Sequence, residues 1–127
     1  MSCENFWEQN GVYRKYKKDV TGKELLKAVK DVLGHQSFAS IDYIINDMLE
    51  VTAHNVTASD VVTIAELDRE ASLINSYMKV AIVATEQTVK LMASFYGDLM
   101  SHSPYPIKVF DTVEQARTWV SEYKQAI

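Results

Sequence analysis

The chain has 127 residues, 47% hydrophobic and 24% charged, with a formal net charge of −4. That balance excludes a disordered chain, suits a single domain over residues 1–127, and argues against a general nucleic-acid binder. Cys3 is the only cysteine, which excludes a disulfide framework, and no apolar stretch approaches the ~20 residues of a membrane span.

Residues 6–9 and 12–17 are rich in aromatic and β-branched side chains, and Asn10-Gly11 between them is a strong hairpin signal. Thr21 followed by Glu24 reads as a capping box opening the first helix. Leu25, Val29, Val32 and Leu33 give that helix one apolar face, and Gly34 stops it. Residues 41–48 read as a strand with an apolar centre, Tyr43-Ile44-Ile45, as in a strand buried on both sides. Residues 49–56 are irregular. Thr57 then starts a second helix, with Asp60 in its first turn and Val61, Ile64, Ala65 and Leu67 on its core side.

Residues 78–84 alternate, with Met78, Val80 and Ile82 one way and Lys79, Ala81 and Val83 the other. A third helix covers about residues 85–100, with Val89, Met92, Phe95, Tyr96 and Leu99 at helical spacing. Residues 107–110 form the last strand. Asp111 and Glu114 read as the cap of a final helix whose stripe is Ala116, Trp119, Val120 and Tyr123, with Trp119 as a core anchor.

The order is therefore ββαβαβαβα, a mixed sheet whose parallel strands run in sequence and are joined by right-handed crossovers. Lys79 and Lys108 interrupt the outward side of two strands, so the helices are expected mainly on one face. The second face then carries Ala81, Val83 and Phe110 beside those lysines. Such a half-apolar strip is either covered by the chain ends or used for a partner, and a homodimer is one expected use.

Open α/β sheets bind ligands beyond the carboxyl ends of their parallel strands. The longest and most polar of these ends includes Asn46, Asp47, His54, Thr57 and Ser59. These five are the candidate ligand-binding residues. Asp47 and His54 also have the composition of an acid/base pair, and Thr57 and Ser59 stand either as phosphoryl acceptors or as helix-start caps. No metal spacing connects the three histidines, no glycine-rich phosphate loop is present, and no nucleophile elbow occurs. No cofactor is expected. Glu4 and Glu8 stand where a signal peptide would be basic and then apolar, so a cytoplasmic protein without integral membrane association is expected.

The segment from Tyr105 to Val120 (Y-P-I-K-V-F-D-T-V-E-Q-A-R-T-W-V) resembles the closing strand and helix of bacterial SpoIIAA-like proteins. The likeness to their "lipid-binding SpoIIAA-like" branch takes in G-V-Y-R-K-Y at Gly11 to Tyr16, Y-I-I-N-D at Tyr43 to Asp47 and K-V-A-I-V-A at Lys79 to Ala84. The resemblance implies a SpoIIAA-like right-handed (βα) superhelix, as in STAS domains and CRAL-TRIO lipid carriers. Anti-sigma-factor antagonists of this fold carry a phosphorylated serine in D-S-[ST]-G at the start of the helix after the central strand. The matching residues here are Thr57-Ala58-Ser59-Asp60, which keep hydroxyls but lack the Asp-Ser start and the glycine.

The reading is a non-enzymatic STAS-like binding or regulatory module, taking a small apolar ligand or a protein partner. A phosphorylation-dependent regulator acting through Ser59 or Thr57 is the alternative, and a small enzyme using Asp47 and His54 is a third.

Overall fold

The computed structural model describes residues 2–122. One five-stranded sheet runs β1 (Cys3–Trp7), β2 (Gly11–Thr21), β3 (Tyr43–Asn55), β4 (Lys79–Val83) and β5 (Ile107–Phe110), in that spatial order. The β1–β2 pair is antiparallel and the other three pairs are parallel. The four helices are α1 (Gly22–Leu33), α2 (Ala58–Ala71), α3 (Gln87–Leu99) and α4 (Val113–Ser121). The ββαβαβαβα order and the sequential mixed sheet agree with the sequence.

The hairpin forms where Asn10-Gly11 predicts it, and Glu8 N–H donates to the Gly11 carbonyl at 2.8 Å. Gly11 has a second reason to be glycine. A Cβ there would stand 2.5 Å from the Tyr43 ring on the neighbouring strand. Thr21 caps α1 by accepting from the Glu24 N–H at 3.1 Å. The Glu24 carboxylate in turn accepts from the Ser2 N–H and hydroxyl, which ties the start of β1 to the helix. Gly22 abuts the start of α2: a Cβ there would lie 2.1 Å from a carboxylate oxygen of Asp60.

Helices α1, α2 and α3 cover one face of the sheet. Their stripes bury Leu25, Val29, Ile64, Ala65, Val89 and Ala93 against Val12, Tyr16, Ile44, Val80 and Ile82. Helix α4 covers the other face, where Ile45, Ala81, Val83 and Ala116 are all fully buried. Phe110 and Trp119 close this second layer with ring centroids 5.5 Å apart. Trp119 is half-buried there and belongs to the packing, as its place on the helical stripe implies. Tyr123, the end of that predicted stripe, lies outside the described residues.

Several expectations change. The strip of Ala81, Val83 and Phe110 is covered by α4, the first of its two expected fates, so this strip is not a free surface for a homodimer. Lys79 does point away from the three-helix face, but it is 9% exposed. Its Nζ donates to the Trp119 and Glu122 carbonyls at 2.7 and 3.1 Å, closing the C-terminal end of α4, and it lies over the Trp119 ring. A lysine in an alternating strand thus marked a helix end seated on the sheet, not an open face. The α4 cap is Thr112, whose side chain accepts from the Gln115 N–H, while Asp111 faces Lys90.

A further difference is in residues 49–56, irregular in sequence but mostly strand in the structure, with β3 reaching Asn55. Its pairing with β2 shifts register twice, between Lys15 and Lys17 and between Lys18 and Asp19, because β3 carries an extra residue each time. Lys18 takes a positive φ of 55° beside the second shift. Each bulge resets the two-residue alternation that a strand reading depends on. Together they bring Met48, Val51, His54 and Val56 to the same inward side.

Candidate functional site

The three-helix layer is not filled. A cavity of about 110 Å³ lies between α1, α2, α3 and the sheet, beside the part of β3 that runs on past the end of β4. This is the carboxyl end of the strands, where open α/β sheets hold ligands. Its walls are apolar: Leu25 and Val29 from α1, Val61 and Ile64 from α2, Met92 and Ala93 from α3. An apolar cavity of this order admits a small apolar molecule.

At one end the wall turns polar. Val12, Arg14 and Tyr16 alternate inward along β2, and Arg14 is 4% exposed. Arg14 Nε donates to Asn5 Oδ1 at 2.7 Å and Nη1 to Asn46 Oδ1 at 3.2 Å. Tyr16 OH donates to the same Asn46 oxygen at 2.9 Å, while Asn46 Nδ2 donates to the Ala81 carbonyl at 3.2 Å. Asp68 enters from α2 and accepts from Tyr96 OH of α3 at 2.5 Å. No carboxylate among the described residues comes within ion-pair distance of Arg14. Burial pushes the Asp68 carboxyl up, with Tyr96 and Arg14 acting against that shift. Burial also raises the Tyr16 and Tyr96 phenols, and pushes the Cys3 thiol, beside Arg14, up to about 11.

At the other end stands His54. Its Nδ1 is buried with no hydrogen-bond partner among the described residues. His54 also adds to the forces that hold Glu86 low at the start of α3, after the hydrogen bonds from Thr88 and Val89. The histidine therefore sits between the extension of β3 and the first turn of α3.

Of the five residues predicted from sequence, the structure brings Asn46 and His54 to the cavity. Asp47 turns to the α4 face instead. Burial alone would raise its carboxyl, but the Tyr13 hydroxyl, the Leu49 N–H and Lys15 together hold it below the usual carboxylate range. Asp47 and His54 thus open on different faces and make no acid/base pair. Thr57 and Asp60 form a reciprocal capping box, at 3.1 and 2.9 Å. Ser59 is exposed in the first turn of α2, and its carbonyl accepts from Thr63 Oγ1. No group of metal-binding side chains occurs among the described residues.

Sequence reasoning missed Arg14, Tyr16 and Asp68 as cavity residues. The signal was present for two of them. Arg14 alternates with Val12 and Tyr16 toward the core, and Asp68 follows Val61, Ile64 and Ala65 on one helical face. A charge on an apolar stripe marks a buried polar site.

The chain superposes on an uncharacterised protein of the DUF3478 family with a SpoIIAA-like fold from Shewanella loihica, with a TM-score of 0.52 and 14% identity over 93% of this chain and 91% of that one. It also superposes on the anti-sigma factor antagonist SpoIIAA in its unphosphorylated form, with a TM-score of 0.57 and 12% identity over 95% and 99%. The fold is therefore SpoIIAA-like, as the sequence resemblance implies. No protein-family model and no curated protein matches the sequence. No helix among the described residues is long and apolar enough to cross a membrane.

Proposed function

We propose that this STAS-like domain is a non-enzymatic binding module that carries a small apolar ligand in the cavity of the three-helix layer. One observation carries the reading: an apolar cavity at the carboxyl end of the strands has a polar group at each end, Arg14 and His54, and His54 Nδ1 has no partner among the described residues. Buried polar atoms without a partner are rare in folded proteins, so this one marks an end of the cavity that the described residues leave unfilled. The separation of Asp47 from His54, and the hydrogen bonds that occupy Asp47, support binding over catalysis.

Native mass spectrometry of freshly purified protein tests this. The wild type should carry a small molecule that is released on denaturation. Ala93→Phe, which fills the cavity from α3, should carry none. If the wild type carries nothing and benzene leaves the cavity methionine methyl resonances unshifted, the reading fails.

Phosphorylation is the second reading, and exposure favours Ser59 over Thr57, whose hydroxyl is committed to the cap. A phosphate on Ser59 would sit at the N-terminal end of α2. Mapping of the purified protein should then find phosphate at Ser59; modification only at other residues would remove this alternative.

A further inference from the structure

We infer that the cavity takes a monocarboxylate, with its carboxylate on the Arg14 guanidinium and its apolar body lying along the cavity toward His54. The inference rests on the reading of this cavity as a ligand site and names the chemistry of its occupant.

The argument begins with charge. A guanidinium stays protonated in any protein environment, and burying one without a counter-charge is strongly unfavourable. The side chains bonded to Arg14 are neutral groups, the amides of Asn5 and Asn46 and the Tyr16 hydroxyl. A guanidinium has five N–H groups, more than these three neighbours engage. The nearby Tyr16 hydroxyl and Cys3 thiol are held neutral by burial. Among the described residues the carboxyl that acts on Arg14 is Asp68, from beyond ion-pair distance and with one oxygen engaged by Tyr96. A ligand carboxylate would meet the free N–H groups in the bidentate geometry that guanidinium favours.

The apolar body follows from the walls. Arg14 and Val20, the strand partner of His54, are six residues apart on β2, at most ~20 Å of extended chain. Aliphatic side chains line the space between them. That favours an unbranched chain over a sugar or a nucleotide, and the cavity volume favours a short one. Asp68 is the feature that opposes an anion, which gives the assignment a second handle.

The test uses the full chain labelled at its methionine methyls and three ligands that differ in the head alone: octanoate, 1-octanol and octylammonium. Met48, Met78 and Met92 line the cavity, whereas Met100 lies in the core outside it. Octanoate should shift the first three resonances and leave Met100, and should bind about tenfold tighter than octanol. Octylammonium should bind worst. Arg14→Gln should abolish the preference for octanoate while octanol still binds. Asp68→Asn keeps an acceptor for Tyr96 and cannot ionise, so it should tighten octanoate increasingly as the pH is raised and the wild-type carboxyl ionises, and leave octanol unchanged.

Octanol or octylammonium binding as tightly as octanoate to the wild type would overturn the assignment while leaving the cavity a ligand site. So would an octanoate affinity that Asp68→Asn does not change at any pH across the folded range. If none of the three ligands moves a cavity methionine, the ligand-site reading fails with it. Should Arg14→Gln not fold, the three-ligand comparison and Asp68→Asn still decide.

Discussion

Two layers share the same strands and are built differently. Under α4, the neighbours Ile45, Ala81, Val83 and Ala116 close to complete burial, and the buried cation Lys79 is satisfied by helix-end carbonyls. Under α1, α2 and α3, the residues one step along the same strands surround a cavity and a guanidinium that has no carboxylate partner among the described residues. Adjacent residues of one strand, such as Ile44 and Ile45, therefore live in different environments. The closely packed layer serves to hold the sheet, while the layer with the unfilled space is the one suited to binding.

The largest test of this contrast compares those two neighbours. Ile45→Ala should cost about 4 kcal/mol, because it opens a void in a filled layer. Ile44→Ala should cost about 2 to 3 kcal/mol, since it enlarges a space that already exists. Denaturant midpoints measured side by side decide it, and equal losses would mean that the two layers are equally tight.

Adding volume should show the opposite asymmetry. Ala116→Leu forces extra atoms under α4 and should destabilise by about 2 kcal/mol. Ala93→Val reaches into the cavity and should be neutral or stabilising by up to about 1 kcal/mol. Thermal melts of the two variants would expose any hidden tightness on the cavity side.

Lys79→Met keeps the buried stem but leaves the Trp119 and Glu122 carbonyls without their donor. A loss of about 1 to 2 kcal/mol is expected. Hydrogen exchange should accelerate in α4 and not in α2. Uniform acceleration would mean that α4 is not held by this contact alone.

The smallest effects are electrostatic and opposite in sign on the two layers. Asp68 has a raised folded-state pKa, caused first by burial. The folded state holds its proton more tightly, so wild type should lose stability relative to Asp68→Asn as the pH rises from near 3.8 through the higher folded value. On the α4 face, the Arg117 hydrogen bond holds Glu8 below its ordinary 4.5. Its contribution is present above that value and fades as the pH falls through the folded one. The Arg117 guanidinium, 3.0 and 2.7 Å from the two Glu8 oxygens, is 44% exposed, so Glu8→Gln should cost under about 1 kcal/mol. Stability–pH curves of the two variants should diverge from wild type in opposite directions, and parallel curves would contradict the assignment.

Much of the fold was legible from short-range chemistry. The Asn10-Gly11 turn, the caps at Thr21 and Thr57 and the helical stripes each depend on residues within a few positions of one another. The candidate site was legible only in part. Asn46 and His54 could be placed near a strand end, but the two bulges in β3 erased the alternation that would have shown His54 facing inward. Arg14 looked like one charge in a basic stretch, because its neighbours Asn46 and Asp68 are 32 and 54 positions away in sequence.

The sequence by itself determined the kind and order of the elements and the existence of two unlike sheet faces, since turn chemistry, capping and periodicity are local. Only the tertiary structure decided what covers each face. Alternation in β4 showed Lys79 opposite to Met78 and Val80 but could not show the end of α4 arriving over it. Likewise, the meeting of Arg14, Asn46 and Asp68 around one cavity depends on three separate elements docking, and docking is set by contacts that no local pattern encodes.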